Sequence, residues 1–156
     1  MRSLCRLMGI DYGERRIGVA LSDPLALFAR PYTVLSRTTP EADLAALREI
    51  ADREQVARIV IGLPTDSQGG IGPQAAIVIH WARDFARAVD RPVVFWDESY
   101  SSVLAEEMLK SAAGKKRRRD DPLDDIAAAA ILQDYLDAGG TDDEPGQLLE
   151  AFADIP

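Results

Sequence analysis

The stretch Gly9-Ile10-Asp11-Tyr12-Gly13-Glu14-Arg15-Arg16-Ile17-Gly18-Val19-Ala20-Leu21 decides how this chain is read. Leu4 to Ile10 is a short apolar run that fits a buried strand, and Asp11-Tyr12-Gly13-Glu14-Arg15 is turn-forming. Ile17 to Leu21 then reads as a returning strand, so the two runs make a hairpin with Asp11 at the end of its first arm.

Outward from the hairpin, Pro31 to Leu35 fits a third strand. Pro40 to Gln55 carries Leu44, Leu47 and Ile50 at helical spacing, with Thr39 placed to cap it. Ala57 to Ile61 is a β-branched run typical of a buried parallel strand. A loop from Gly62 to Gly72 follows, and Pro73 suits the first turn of a helix reaching about Val89. Pro92 to Trp96 is a fifth strand ending at Asp97-Glu98. Ser101 or Ser102 can cap a helix through Met108, and Leu123 to Leu136 is an alanine-rich helix. Strands alternating with helices after a hairpin predict an α/β three-layer architecture: a five-stranded mixed sheet with helices on both faces. Residues 1–137 are expected to form one domain. Residues 138–156 are expected to be an acidic, mobile tail with a short helical turn near Leu148.

A chain of 156 residues is one domain's worth. Its apolar fraction of 47% and charged fraction of 28% are those of a soluble globular protein. No apolar run approaches the ~20 residues of a membrane span, and Met1 to Arg6 lacks the pattern of a signal peptide. One cysteine, Cys5, excludes an intramolecular disulfide and fits a cytoplasmic protein with a buried structural thiol. The net charge of −8 argues against nucleic acid at first sight. The tail, however, holds Asp142, Asp143, Glu144, Glu150 and Asp154 with no Lys or Arg; 26 acids less these five leave 21, against 18 basic residues. Within that nearly balanced body, Lys115-Lys116-Arg117-Arg118-Arg119 is an unbroken basic run.

Ligands of such sheets bind outside the carboxyl ends of the parallel strands, and three acids fall where that edge is expected. Asp11 ends the first strand, Glu98 follows the fifth, and Asp124 lies in the first turn of the last helix, where the helix dipole favours it. Ala127-Ala128-Ala129-Ala130 lets that helix pack close to the sheet. Hydrolysing a phosphodiester requires activated water beside an anionic phosphate. Hard oxygen ligands supply this by holding Mg²⁺ or Mn²⁺ against the substrate. Taken singly, each acid has a plainer role: a turn residue, a solvated loop acid, a helix-terminus acid.

The motifs together resemble a known family. Gly9 to Pro24 looks like the opening hairpin of the YqgF-type pre-16S rRNA nucleases, also described as Holliday junction resolvase-like. Ile61-Gly62-Leu63-Pro64, Gly69 and Gly72-Pro73-Gln74-Ala75 are similar to the second motif, and Trp96-Asp97-Glu98 to the third. The basic loop, Asp124 and Ile131-Leu132-Gln133-Asp134-Tyr135-Leu136 are similar to the fourth, so the match runs in order from about Leu7 to Asp137. The resemblance implies a ribonuclease H-like fold and a metal-dependent nuclease of structured nucleic acid. It implies processing of the 5′ end of pre-16S rRNA, with junction resolution in DNA repair or recombination as the alternative. Asp11, Glu98 and Asp124 would be the catalytic, metal-holding acids; Asp125 is the adjacent competitor for the helix position. The chain departs from the family with Ser99 and Tyr100 after the Asp-Glu pair and Asp66 in the Gly-rich loop, all of which touch on phosphate grip.

Arg15 and Arg16 at the hairpin turn, and Lys115, Lys116, Arg117, Arg118 and Arg119, are the expected phosphate contacts. The Gly62–Gly72 loop could offer backbone N–H groups to phosphate or be only a connection. His80 reads as a helix-surface or packing residue and Trp96 as core rather than a base-stacking platform, and one histidine without a His or Cys cluster gives a zinc site little support. The expected partner is nucleic acid, RNA before DNA, within ribosomal precursor particles; a monomer or weak dimer is expected, with no membrane. Two other classes compete. An actin or sugar-kinase type ATPase shares the Asp-x-Gly hairpin but needs two such domains, and would bind ATP. A non-catalytic nucleic-acid or ribosome-associated module would keep its function when Asp11 is replaced by Asn.

Overall fold

The computed structural model describes residues 5–64, 70–97, 123–139 and 147–148. Strand β1 (Arg6–Tyr12) pairs antiparallel with β2 (Arg16–Ser22), with Asp11 opposite Gly18 and Tyr12 opposite Ile17. The first strand therefore extends through Asp11 and Tyr12, which the sequence assigned to the turn. The cause is a tight closure: the Gly13 N–H donates to the Arg16 carbonyl at 2.9 Å, leaving only Glu14 and Arg15 between them. Asp11 is thus held by the pleat rather than by a loop.

β3 (Ala29–Ser36) pairs antiparallel with β2, while β4 (Val56–Leu63) lies parallel to β1 and β5 (Val93–Asp97) parallel to β4. The five expected strands are present. A two-residue strand, β6 (Gln147–Leu148), pairs antiparallel with β5 and gives the order β3-β2-β1-β4-β5-β6. It replaces the helical turn expected near Leu148. An edge strand such as β5 offers unpaired backbone groups, and pairing satisfies them where a helical turn would not.

Alternation along β1 sorts the core into two layers. Met8 and Ile10 join the larger cluster, which includes Leu47 and Ile50 of α1 (Pro40–Arg53) and Val78, Trp81 and Phe85 of α2 (Pro73–Val89). Leu7 points the other way and joins Ala128, Ala129, Ile131, Leu132 and Tyr135 of α3 (Asp124–Asp137). Helices therefore cover both faces, as expected. Thr39 caps α1, its hydroxyl accepting from the Ala42 N–H at 3.1 Å. α3 lies close to the sheet because the residues between are small. A Cβ on Gly9 would sit 2.7 Å from the Leu132 Cβ and 2.8 Å from the Ala128 carbonyl oxygen. The helix expected between Ser101 and Met108 lies outside the described residues.

Candidate active site

The pleat of β1 and the start of α3 bring Asp11 and the first turn of α3 to the same face of the sheet. Leu7 and Gly9 face α3, so by alternation Asp11 faces it too. Its cross-strand partner is Gly18, and a Cβ there would overlap the main-chain carbonyl of Asp124. The first turn of α3 therefore occupies the space a side chain opposite Asp11 would fill, one cross-strand spacing of about 5 Å away. Only glycine permits this. A Cβ on Gly13 would lie 3.8 Å from Asp124 Oδ1, so the carboxylate reaches along the hairpin to its turn.

Asp124 is held there by charge. The Arg16 Nε donates to its Oδ2 at 2.9 Å, with the Arg16 side chain 46% and the Asp124 side chain 20% exposed. The dipole of α3 adds positive potential at its N-terminus that favours the carboxylate. Asp125 is placed differently: it is buried, and its Oδ1 accepts from the Ile126 N–H at 3.0 Å. Of the two helix acids, Asp124 is the one at the hairpin.

The remaining expectations divide cleanly. Asp97 ends β5, level with Leu63 of β4; Glu98, next in sequence, and Lys115 to Arg119 lie outside the described residues. Arg15 is exposed in the turn beside Arg16. Trp96 packs against the α3 layer, its Nε1–H donating to Asp134 Oδ2 at 2.6 Å and its ring meeting Tyr135 edge-on at 5.7 Å. His80 is exposed on α2, and Cys5 is half-buried against the α3 layer rather than fully enclosed.

Sequence reasoning missed the support on the other face of the hairpin. Tyr12 stacks on Trp81 at 4.3 Å, and Trp81 on Phe85 at 4.9 Å. The Arg37 guanidinium lies 4.6 Å from the Tyr12 ring centre, and its Nη1 donates to the carbonyls of Gly13 at 3.1 Å and Glu14 at 2.8 Å. Burial raises the Tyr12 hydroxyl pKa above its ordinary value, which Asp43 reinforces and Arg37 opposes. The turn beside Asp11 is thus anchored by an aromatic stack and a clamped arginine. The pairing of Arg37 with a turn over twenty residues away left no signal in local sequence.

Residues 5–138 match the family model described as "RuvX: Holliday junction resolvase". The chain belongs to the RuvX family. It is 44% identical over 134 residues to a protein of Syntrophomonas wolfei named "Putative pre-16S rRNA nuclease", covering 86% of this chain and 95% of that one. A protein of Moorella thermoacetica with the same name is 45% identical over 135 residues, covering 86% and 96%. Among solved structures, "T. thermophilus RuvC in complex with Holliday junction substrate" overlays with a TM-score of 0.62 at 17% identity, covering 92% of this chain and 99% of that one. The fowlpox virus Holliday junction resolvase overlays with a TM-score of 0.52 at 11% identity, covering 85% and 99%. These overlays establish the ribonuclease H-like fold for this RuvX chain.

The donor set suits a hard divalent cation. Asp11 and Asp124 carry carboxylates, the hard donors a divalent cation takes, and the Arg16 guanidinium shows that a cationic group fits against Asp124 Oδ2. Among the described residues no cluster of three or more His, Cys, Asp or Glu side chains forms a metal site, so a further acid would have to come from outside them. No helix among those residues is long and apolar enough to cross a membrane.

Proposed function

We propose that this RuvX chain is a Mg²⁺- or Mn²⁺-dependent nuclease that hydrolyses phosphodiester bonds of structured nucleic acid, with the 5′ end of pre-16S rRNA as its substrate. One observation carries the reading: the main chain of Asp124 is seated on Gly18, directly across from Asp11. Family membership supports the nuclease class, and the names of the bacterial relatives support the RNA substrate.

Asp11 and Asp124, joined by Glu98, would hold the cation by their carboxylates. When bound, that cation supplies Lewis acidity toward the phosphate and a more acidic water. The chain's own part is to fix the geometry. The pleat of β1 orients Asp11, the Gly18 contact sets the approach of α3, and Arg16 neutralises Asp124 before a cation arrives. Arg15 and the run Lys115 to Arg119 would take phosphates on either side of the cut, giving affinity without reading sequence. Water is the nucleophile, and no covalent intermediate on the protein is required.

A four-way DNA junction is the second reading, favoured by the description of the family as Holliday junction resolvases. Symmetric cutting of two strands would then call for a two-fold dimer. Cleavage of matched RNA precursor, duplex DNA and four-way junction with Mg²⁺, Mn²⁺ and chelator tests both. Preferential cutting of the precursor supports the first reading; preferential, paired cutting of the junction replaces it with the second. Cutting that persists undiminished in chelator refutes the metal-dependent mechanism.

A further inference from the structure

Across the hairpin from the acids, the structure holds a cavity of about 380 Å³ lined by Tyr12, Gly13, Glu14, Arg37, Pro73, Gln74, Ile77 and Val78. It shares the hairpin with the acidic pair: Tyr12 and Gly13 directly follow Asp11, but Tyr12 points to the opposite face of the sheet. We infer that this cavity is a subsite for an unpaired nucleobase next to the scissile phosphate, a reading that rests on the nuclease function proposed above.

The lining argues for a base over a phosphate. Pro73, Ile77 and Val78 give it apolar walls, and Ile77 is 59% exposed, an aliphatic side chain presented to solvent on a helix whose Val78, Ile79, Trp81 and Phe85 are buried. Glu14 at the rim repels an anion yet can accept an N–H from a base edge. The Gln74 amide carries both a donor and an acceptor and makes no hydrogen bond among the described residues. Arg37 spends Nη1 on the Gly13 and Glu14 carbonyls, so its guanidinium is fixed in place, with Nε and Nη2 unpaired among the described residues. A planar cation, aliphatic walls and mixed donors and acceptors are what an extruded base finds in single-strand recognition. Tyr12 itself does not stack on the base; its ring is engaged by Trp81 and Arg37, and its role is to hold the floor.

The test measures binding, so it does not depend on cleavage. The full chain is titrated in Ca²⁺ with a short single-stranded RNA carrying 2-aminopurine at successive positions, and with matched strands abasic at each position. One position is expected to show a large fluorescence change, and an abasic site there to weaken binding about tenfold. Ile77→Ala and Gln74→Ala should each weaken the intact strand several-fold and leave the abasic strand unaffected. Both side chains are exposed, so melting curves matching wild type would show that the fold is kept. The proposal is overturned if no abasic position matters, or if the variants weaken intact and abasic strands equally. It is equally overturned if inorganic phosphate displaces the fluorescent base from the cavity. A protein that shows this base dependence but cuts nothing would keep the subsite and refute the nuclease reading instead.

Discussion

Arg16 Nε lies 2.9 Å from Asp124 Oδ2, joining residues 108 apart in sequence and fastening the hairpin to the first turn of α3. The pair is partly solvated, and such pairs contribute only about 0–1 kcal/mol to stability. Its consequence is electrostatic: guanidinium and divalent cation compete for one carboxylate. Arg16→Gln should therefore melt within a few degrees of wild type while binding Mn²⁺ about two- to fivefold more tightly in the absence of nucleic acid. Calorimetric Mn²⁺ titration checks this. Unchanged or weaker Mn²⁺ binding would mean that Arg16 does not occupy the cation's place.

Of Gly9, Gly13, Gly18 and Gly72, Gly18 leaves the least room for an added atom. Gly18→Ala puts a methyl group into the Asp124 main chain, so α3 must lift from β2. Overpacking of this kind costs about 1–3 kcal/mol. The expected result is a lower denaturation midpoint together with loss of cleavage, because Asp124 moves away from Asp11. A Gly18→Ala variant as stable and active as wild type would contradict the close approach.

Asp23 controls the loop after β2. Burial pushes its carboxyl up, but the N–H groups of Phe28, Leu27 and Leu25 donate to it and outweigh burial, so its pKa falls below the ordinary 3.8. A depressed folded pKa adds stability above the unfolded value, and this is lost as pH falls through the folded one. Asp23→Ala should therefore be less stable than wild type at neutral pH, with the gap narrowing once pH drops below 3.8. Urea denaturation across that range measures it.

The basic run Lys115 to Arg119 is proposed to contact phosphate. Replacing all five residues by Ser should weaken RNA and DNA alike and flatten the salt dependence of binding. Each lost contact to a single strand lowers the slope by about 0.7. An unchanged slope would assign the run to solvent.

Much of this molecule was legible in its residues, and the reason is local. The apolar runs read at Leu4 to Ile10 and Ala57 to Ile61, the Thr39 cap and Pro73 all carry their meaning within a few positions of sequence. What was not legible depends on distant partners. Tyr12 looked like a turn residue because nothing nearby reveals its stack on Trp81. β6 could not be foreseen because Gln147–Leu148 gains strand character only from pairing with β5. Only the family resemblance favoured Asp124 over Asp125; the physical difference arises from Gly18 and Arg16, more than a hundred residues earlier. Glu98 and the basic run rest on the sequence alone.

The most direct measurement is metal-dependent cleavage by wild type and by Asp11→Asn, Glu98→Gln and Asp124→Asn, with binding of the same substrate followed in parallel. Each substitution is expected to lower the cleavage rate by at least about a hundredfold, as loss of a transition-state charge partner does, while binding and melting temperature stay near wild type. Cutting at full rate by Asp11→Asn or Asp124→Asn would contradict the central claim that these two carboxylates, set together across Gly18, perform the chemistry.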